Sequence, residues 1–252
     1  AAAAAAAAGG DEEPTDAHLV DYTYLCFDYH KAMLSGLALL GESLDSPEAD
    51  ALVIGLGGGA LCMTLAHFFP SLNIDVCELD PNVLAVAESW FGFAQGEHLQ
   101  VQIGDGLLYL DPPPRQYSFI VVDVDAKDTA VGMSCPPEAF VAPAFLGKLK
   151  AALRPGGMAL FNVAARSQAL YEKACSALRT EFDQGALYTL RPSDDDVNRV
   201  VCATPEAVGA AQHEPAELKR CISAWLDRTP MQTHDPLGLL EMASQLVVAS
   251  GR

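Results

Sequence analysis

Between Asp50 and Pro70 an apolar block, Asp50-Ala-Leu-Val-Ile, runs into Gly55-Leu56-Gly57-Gly58-Gly59 and then into a stretch with helical spacing, Ala60 to Phe69. A compact apolar run closed by glycines and followed by a periodic helix predicts a strand, a tight loop and a helix opening an α/β sheet. The rest of the chain repeats the theme. Strands are predicted at Asn73 to Leu79, Leu99 to Ile103, Tyr117 to Val124 and Met158 to Val163, with helices at Asn82 to Phe91, Pro143 to Leu153 and Gln168 to Phe182. Arg154-Pro-Gly-Gly reads as the turn into the strand at Met158. A further helix is expected between Tyr22 and Leu40, from the spacing of Met33, Leu37 and Leu40.

Strands that are apolar on both faces and alternate with helices imply a mostly parallel sheet covered on both sides, a doubly wound α/β fold. Two last strand-like runs, Ala186 to Arg191 and Val197 to Ala203, flank Pro192-Ser-Asp-Asp-Asp and read as an antiparallel hairpin. Such a hairpin would end a seven-stranded, Rossmann-like sheet and is unusual for a dinucleotide-binding domain. The expected organisation is a low-complexity lead-in over 1–16, beginning with a run of alanines, one domain over 17–204, and a helical extension over 205–252. That extension, with helices at Pro215 to Arg228 and Leu237 to Val248, would pack on the same domain and cap an edge of the sheet.

Composition narrows the partners. Of 252 residues, 50% are hydrophobic, enough to bury a full core. The longest apolar runs are strand-length, well short of the ~20 residues that span a bilayer. Seven cysteines lie without a CxxC pair or zinc spacing, so no metal and a reduced, cytoplasmic setting are expected. With 33 acidic against 15 basic residues the net charge is −18, which repels nucleic acid and anionic lipid and suits a cationic partner.

The carboxylates fall at strand ends. Gly55 to Ala60 satisfies a GxGxx(G/A) pattern that by itself admits a nicotinamide, a flavin or S-adenosylmethionine. Glu78, about 20 residues past the glycines, stands where an acid accepts hydrogen bonds from ribose hydroxyls and excludes a 2′-phosphate. Asp80, before Pro81, reads equally as a helix cap. Asp105, within Gly104-Asp-Gly106, either accepts from an adenine amino group or caps the helix after it. Asp123 and Asp125 close the fourth strand, where open α/β sheets place their chemistry, and Asn162 on the next strand faces the same crevice.

Together, Tyr29-His-Lys-Ala-Met33, Gly-Leu-Gly-Gly-Gly, Glu-Leu-Asp, Gly-Asp-Gly and Val-Asp-Val-Asp resemble the spermidine-synthase-like branch of the class I methyltransferases over roughly residues 20 to 203. Trp90-Phe-Gly-Phe93, Asp123-Val-Asp-Ala-Lys-Asp128 and Gly132-Met-Ser-Cys-Pro-Pro137 are similar to the C-terminal domain of the methyltransferase-like protein 13 family. That domain methylates the N-terminal α-amine of translation elongation factor 1-alpha, and a separate N-terminal domain methylates a lysine of the same factor. The resemblance implies S-adenosylmethionine as cofactor, with S-adenosylhomocysteine as product. It implies that Gly55, Gly57, Gly59, Glu78, Leu79, Asp105, Gly106 and Asp123 hold the cofactor and that Lys31 pairs with its carboxylate, unless Lys31 simply faces solvent. Catalytic roles go to Asp123, Asp125 and Asn162, and the partner is a protein with a basic N-terminus; a homodimer is compatible with this. An amine of pKa about 8 needs orientation more than a strong base. The same resemblance puts His30 near the acceptor pocket, while as an isolated histidine on an entry helix it reads as structural; Met133 and Cys135 read as packing residues. The alternatives are a polyamine aminopropyltransferase, against which Lys127 sets a positive charge, and a non-catalytic cofactor-binding scaffold.

Overall fold

The computed structural model describes residues 20–46, 48–126, 132–193, 196–206, 215–227, 235 and 237–248. Helix α1 (Asp28–Leu37) leads into a 3-10 stretch, Ala38–Asp45. Then follow β1 (Asp50–Ile54), α2 (Ala60–Phe68), β2 (Asn73–Glu78), α3 (Pro81–Trp90), β3 (Leu99–Ile103), α4 (Gly106–Tyr109) and β4 (Tyr117–Val122). The second half holds β5 (Met133–Cys135), α5 (Pro143–Ala152), β6 (Leu153–Ala165), α6 (Gln168–Glu181), β7 (Leu187–Leu190) and β8 (Asn198–Ala203). Helices α7 (Pro215–Leu226) and α8 (Leu239–Met242) and strand β9 (Leu246–Val248) complete it.

The sheet order is β3-β2-β1-β4-β6-β8-β7-β9, with β5 on β6. The first five strands run parallel, and β8 joins β6 antiparallel. β7 then pairs β8 antiparallel, as the hairpin reading expects. Two three-residue strands, β5 and β9, extend the seven.

Side-chain alternation divides each central strand between two cores. Ala51 and Val53 of β1, Phe119 and Val121 of β4, and Met158 and Leu160 of β6 face the layer of α1, α2 and α7. Leu52 and Ile54, Ile120 and Val122, Ala159 and Phe161 face α5 and α6. Burial on both faces is why these strands read as unbroken apolar runs.

Two sequence expectations change. Arg154-Pro-Gly-Gly is taken up into the start of β6 as an irregularity: Gly156 adopts φ 74°, and the pairing with β4 shifts between Tyr117 and Phe119. The helix expected over Leu237 to Val248 is only α8, followed by a 3-10 turn and β9, which pairs with β7. The edge of β7 offers unpaired backbone groups, and the β-branched Val247 and Val248 suit a strand better than a helix. Leu218, Ile222 and Trp225 of α7 are fully buried and share a core with Leu34 and Leu37 of α1.

Candidate active site

The glycine loop is shaped by different demands at each position. Gly55 has φ 98°, and a Cβ there would lie 2.2 Å from the Asp123 carbonyl oxygen, so β1 and the end of β4 meet backbone to backbone. Its N–H donates to the Cys77 carbonyl at 2.9 Å. Gly59, φ 79°, faces the Phe93 ring, which a Cβ would strike at 2.4 Å. Gly57, φ 56°, has nothing within 4 Å of the Cβ position, so here the bare backbone faces open space. Gly106 backs against Ile54 and Phe140.

Glu78 is buried at the end of β2 and braces the loop. Its Oε2 accepts from the Leu56 N–H and its Oε1 from the Asp80 N–H, both at 2.9 Å. Each oxygen keeps a second acceptor site. Leu79 is 71% exposed beside it. Asp80 caps α3 through the Asn82 N–H, and Asp105 caps α4 through the Leu107 N–H, each at 2.9 Å. Lys31 pairs with Asp28 at 2.7 Å, one turn back along α1.

Asp123, one residue past β4, gathers side chains from distant parts of the chain. Its Oδ2 accepts from the Tyr29 hydroxyl at 3.1 Å and lies 3.3 Å from His30 Nε2; its Oδ1 accepts from Asn162 Nδ2 at 2.9 Å. The Cys135 thiol approaches Oδ1 at 3.9 Å. Burial pushes the Asp123 carboxyl up, but hydrogen bonds and charge from His30, with hydrogen bonds from Asn162 and Tyr29, outweigh it and hold it below the usual carboxylate range. Burial and the Asp123 charge push the Tyr29 hydroxyl and the Cys135 thiol far up, so both keep their protons. Asp125 is exposed, and its charge adds to both shifts. Within this cluster two buried atoms, His30 Nδ1 and Asn162 Oδ1, have no hydrogen-bond partner among the described residues.

Of the residues read from sequence, Gly55, Glu78, Asp123 and Asn162 therefore converge at the carboxyl ends of β1, β2, β4 and β6. Lys31 and Asp105 have local partners, Lys127 and Asp128 lie outside the described residues, and Asp125, two residues past Asp123, is exposed. The structure adds Tyr29, to which the sequence gives no role, and brings His30 onto the Asp123 carboxylate. Their signal was two adjacent ring side chains with polar atoms, opening a helix whose following residues are almost all buried.

A model of the spermine/spermidine synthase domain matches residues 27–188. The chain belongs to that family. The mouse eEF1A lysine and N-terminal methyltransferase is 38% identical over 233 residues, covering 86% of this chain and 33% of that protein. This chain thus spans about a third of the length of that relative. The crystal structure of human methyltransferase-like protein 13 in complex with S-adenosylhomocysteine superposes with a TM-score of 0.70 at 36% identity, covering 79% of this chain and 91% of the other. A polyamine aminopropyltransferase of Vibrio vulnificus is 30% identical over 179 residues, 69% of this chain and 55% of that protein.

The residues present fit a nucleoside cofactor. The backbone is bare where it faces open space at Gly57, a buried carboxylate with spare acceptor sites follows at Glu78, and an exposed apolar side chain follows at Leu79.

Proposed function

We propose that this chain is an S-adenosylmethionine-dependent protein methyltransferase whose acceptor is the N-terminal α-amine of translation elongation factor 1-alpha. The observation that carries the reading is an ionised, largely buried Asp123 in backbone contact with the glycine loop, in a chain 36% identical to a methyltransferase-like protein solved with S-adenosylhomocysteine. In this reading residues 17–204 are the catalytic domain, 205–252 an extension packed on it, and the protein works in the cytoplasm on a basic N-terminus.

Gly55, Gly57, Gly59 and Gly106 let the backbone come close to the cofactor. Glu78 receives the ribose hydroxyls, Leu79 lies against the base, and Asp105 accepts from the adenine amino group with the oxygen that does not cap α4. Lys31 is the cation for the cofactor's carboxylate, and that role requires it to exchange its partner Asp28. Bound S-adenosylmethionine supplies a methyl group on a positively charged sulfur.

The acceptor must present an uncharged nitrogen lone pair, and an α-amine, with pKa about 8, does so in a useful fraction near neutrality. A neighbouring carboxylate orients the amine but also favours its ammonium form, so the work of the acids is positioning. Asp123 supplies a fixed negative charge whose orientation is set by Asn162, Tyr29 and His30. Asp125, exposed at the mouth, accepts a hydrogen bond from the arriving amine and passes its proton to water.

The test is incubation of the chain with labelled S-adenosylmethionine and elongation factor 1-alpha, with the label located by mass spectrometry. Label on the N-terminal residue is expected, and none on the factor would defeat the reading. A second reading, aminopropyl transfer to a polyamine, is favoured by the family match over residues 27–188. It predicts consumption of decarboxylated S-adenosylmethionine with putrescine. Against it, the Asp123 oxygens are already engaged by Tyr29, His30 and Asn162.

A further inference from the structure

Helix α1 opens on Phe27, an extended residue (φ −102°, ψ 126°) whose side chain makes no capping hydrogen bond. A side-chain oxygen is the ordinary choice at this position, and Asp80, Asp105 and Ser167 supply one to α3, α4 and α6. The ring that stands there instead is 57% exposed. A local rule set aside for an exposed aromatic side chain points to a use of that ring by a ligand.

Its neighbours fix where the ring lies. Phe27 stacks on Tyr29, with centroids 5.7 Å apart and planes inclined by 29°, and meets the His30 ring edge-on at 6.0 Å. Tyr29 and His30 are the two side chains that reach Asp123 Oδ2. The exposed Asp125 is close enough for its charge to act on the Tyr29 hydroxyl as well. Phe27 is therefore one ring removed from the largely buried carboxylate, and both acids are in electrostatic range of the tyrosine it stacks on. Among the described residues Asp123 has no lysine or arginine partner. A ring face carries partial negative charge and attracts a cation, as a carboxylate does, so ring and acids select one class of ligand. Because Oδ2 already meets Tyr29 and His30, an arriving cation feels the charge of Asp123 and takes its contact from the exposed ring.

We infer that Phe27 is a substrate-binding residue of the acceptor site, its exposed ring holding the ammonium form of the acceptor amine at the rim while Asp123 and Asp125 attract it. This rests on the reading of the chain as a protein methyltransferase. Near neutrality most of an α-amine of pKa about 8 arrives as the ammonium ion. Cation–π attraction holds that ion and is lost in the neutral form that reacts, so the ring contributes to capture of the acceptor and not to the transfer step.

The experiment compares the unaltered chain with Phe27→Leu, Phe27→Tyr and Phe27→Trp. Leucine caps a helix no better than phenylalanine and is also apolar, so the π face is what Phe27→Leu removes. The KM for elongation factor 1-alpha should rise roughly three- to tenfold in Phe27→Leu and return in Phe27→Tyr and Phe27→Trp. The kcat, the affinity for S-adenosylhomocysteine measured by calorimetry and the urea midpoint should stay as they are in all three. A readout without turnover uses choline and its uncharged carbon isostere, dimethylbutanol, with S-adenosylhomocysteine present. The choline methyl protons should move upfield as the unaltered chain is added and several-fold less with Phe27→Leu, while dimethylbutanol should not distinguish the two chains. An unchanged KM in Phe27→Leu overturns the proposal, as does a rise accompanied by equal loss of S-adenosylhomocysteine affinity or of stability. If the unaltered chain leaves the factor unmethylated, the proposed function has failed, and the ring is then decided by choline alone: a shift that survives Phe27→Leu, or none with the unaltered chain, overturns it.

Discussion

Asn162 Nδ2 donates to Asp123 Oδ1 at 2.9 Å, tying the carboxyl-terminal part of β6 to the end of β4 across adjacent strands. The bond aims one face of the carboxylate, while Tyr29 and His30 aim the other.

Replacing Asn162 with alanine takes a donor from a largely buried, ionised acceptor and leaves a small void. A loss of about 1–3 kcal/mol in unfolding free energy is expected, measured as a shift of the urea midpoint. Methyl transfer should fall by at least about tenfold with little change in cofactor affinity, because the carboxylate loses its alignment. Full activity in Asn162→Ala would remove Asn162 from the acceptor site.

The Asp123 carboxyl is held below its ordinary range in the folded chain. A group with a depressed folded pKa contributes stability that is present above its unfolded value, near 3.9, and is lost as pH falls through the folded value. The stability of Asp123→Asn should therefore depend less steeply on pH on the acid side than that of the unaltered chain, seen as urea midpoints collected from neutrality down through pH 4. Parallel curves for the two proteins would contradict the assigned charge state.

Alanine at two loop glycines should produce opposite outcomes. At Gly55 the new Cβ meets the Asp123 carbonyl oxygen, so Gly55→Ala should lose at least about 2 kcal/mol of stability and soluble protein with it. At Gly57 nothing stands in the way, and only the left-handed backbone resists, costing about 1 kcal/mol. Gly57→Ala should stay folded and lose affinity for S-adenosylhomocysteine, read by calorimetry.

The thiols should label in order of access. Burial pushes Cys62 and Cys202 up to about 12 and Cys77 to about 11, while Cys26 is exposed. At pH 8 an alkylating reagent followed by intact-mass spectrometry should modify Cys26 within minutes, and Cys62, Cys135 and Cys202 only when denaturant is added. Rapid native labelling of Cys135 would mean that the Asp123 cluster opens in solution.

The central strands were legible because β1 and β4 are buried on both faces, so that their composition alone marks them. Helix α3 was legible from Asp80 and Pro81, a cap and a first-turn proline. β5 and β9 were not, because three residues carry no period, and each exists only through the strand it pairs with. In the candidate site, Glu78 and Asp123 could be named from their positions at strand ends. The convergence of Tyr29 and His30 on Asp123 spans 94 and 93 positions and leaves no local pattern. Nor could spacing choose between Asp123 and Asp125: only the folded chain shows the first largely buried among Tyr29, His30 and Asn162 and the second exposed.

The contact of Gly55 with the Asp123 carbonyl has a mechanical meaning. A gap spanned by side chains can widen when a rotamer changes or a neighbour is replaced by a smaller residue. Here the spacer is main chain against main chain, so the separation between the glycine turn and the acid is fixed by atomic radii. The two halves of the site form one rigid bracket, and drift elsewhere in the sequence can alter what they grip without altering how far apart they stand.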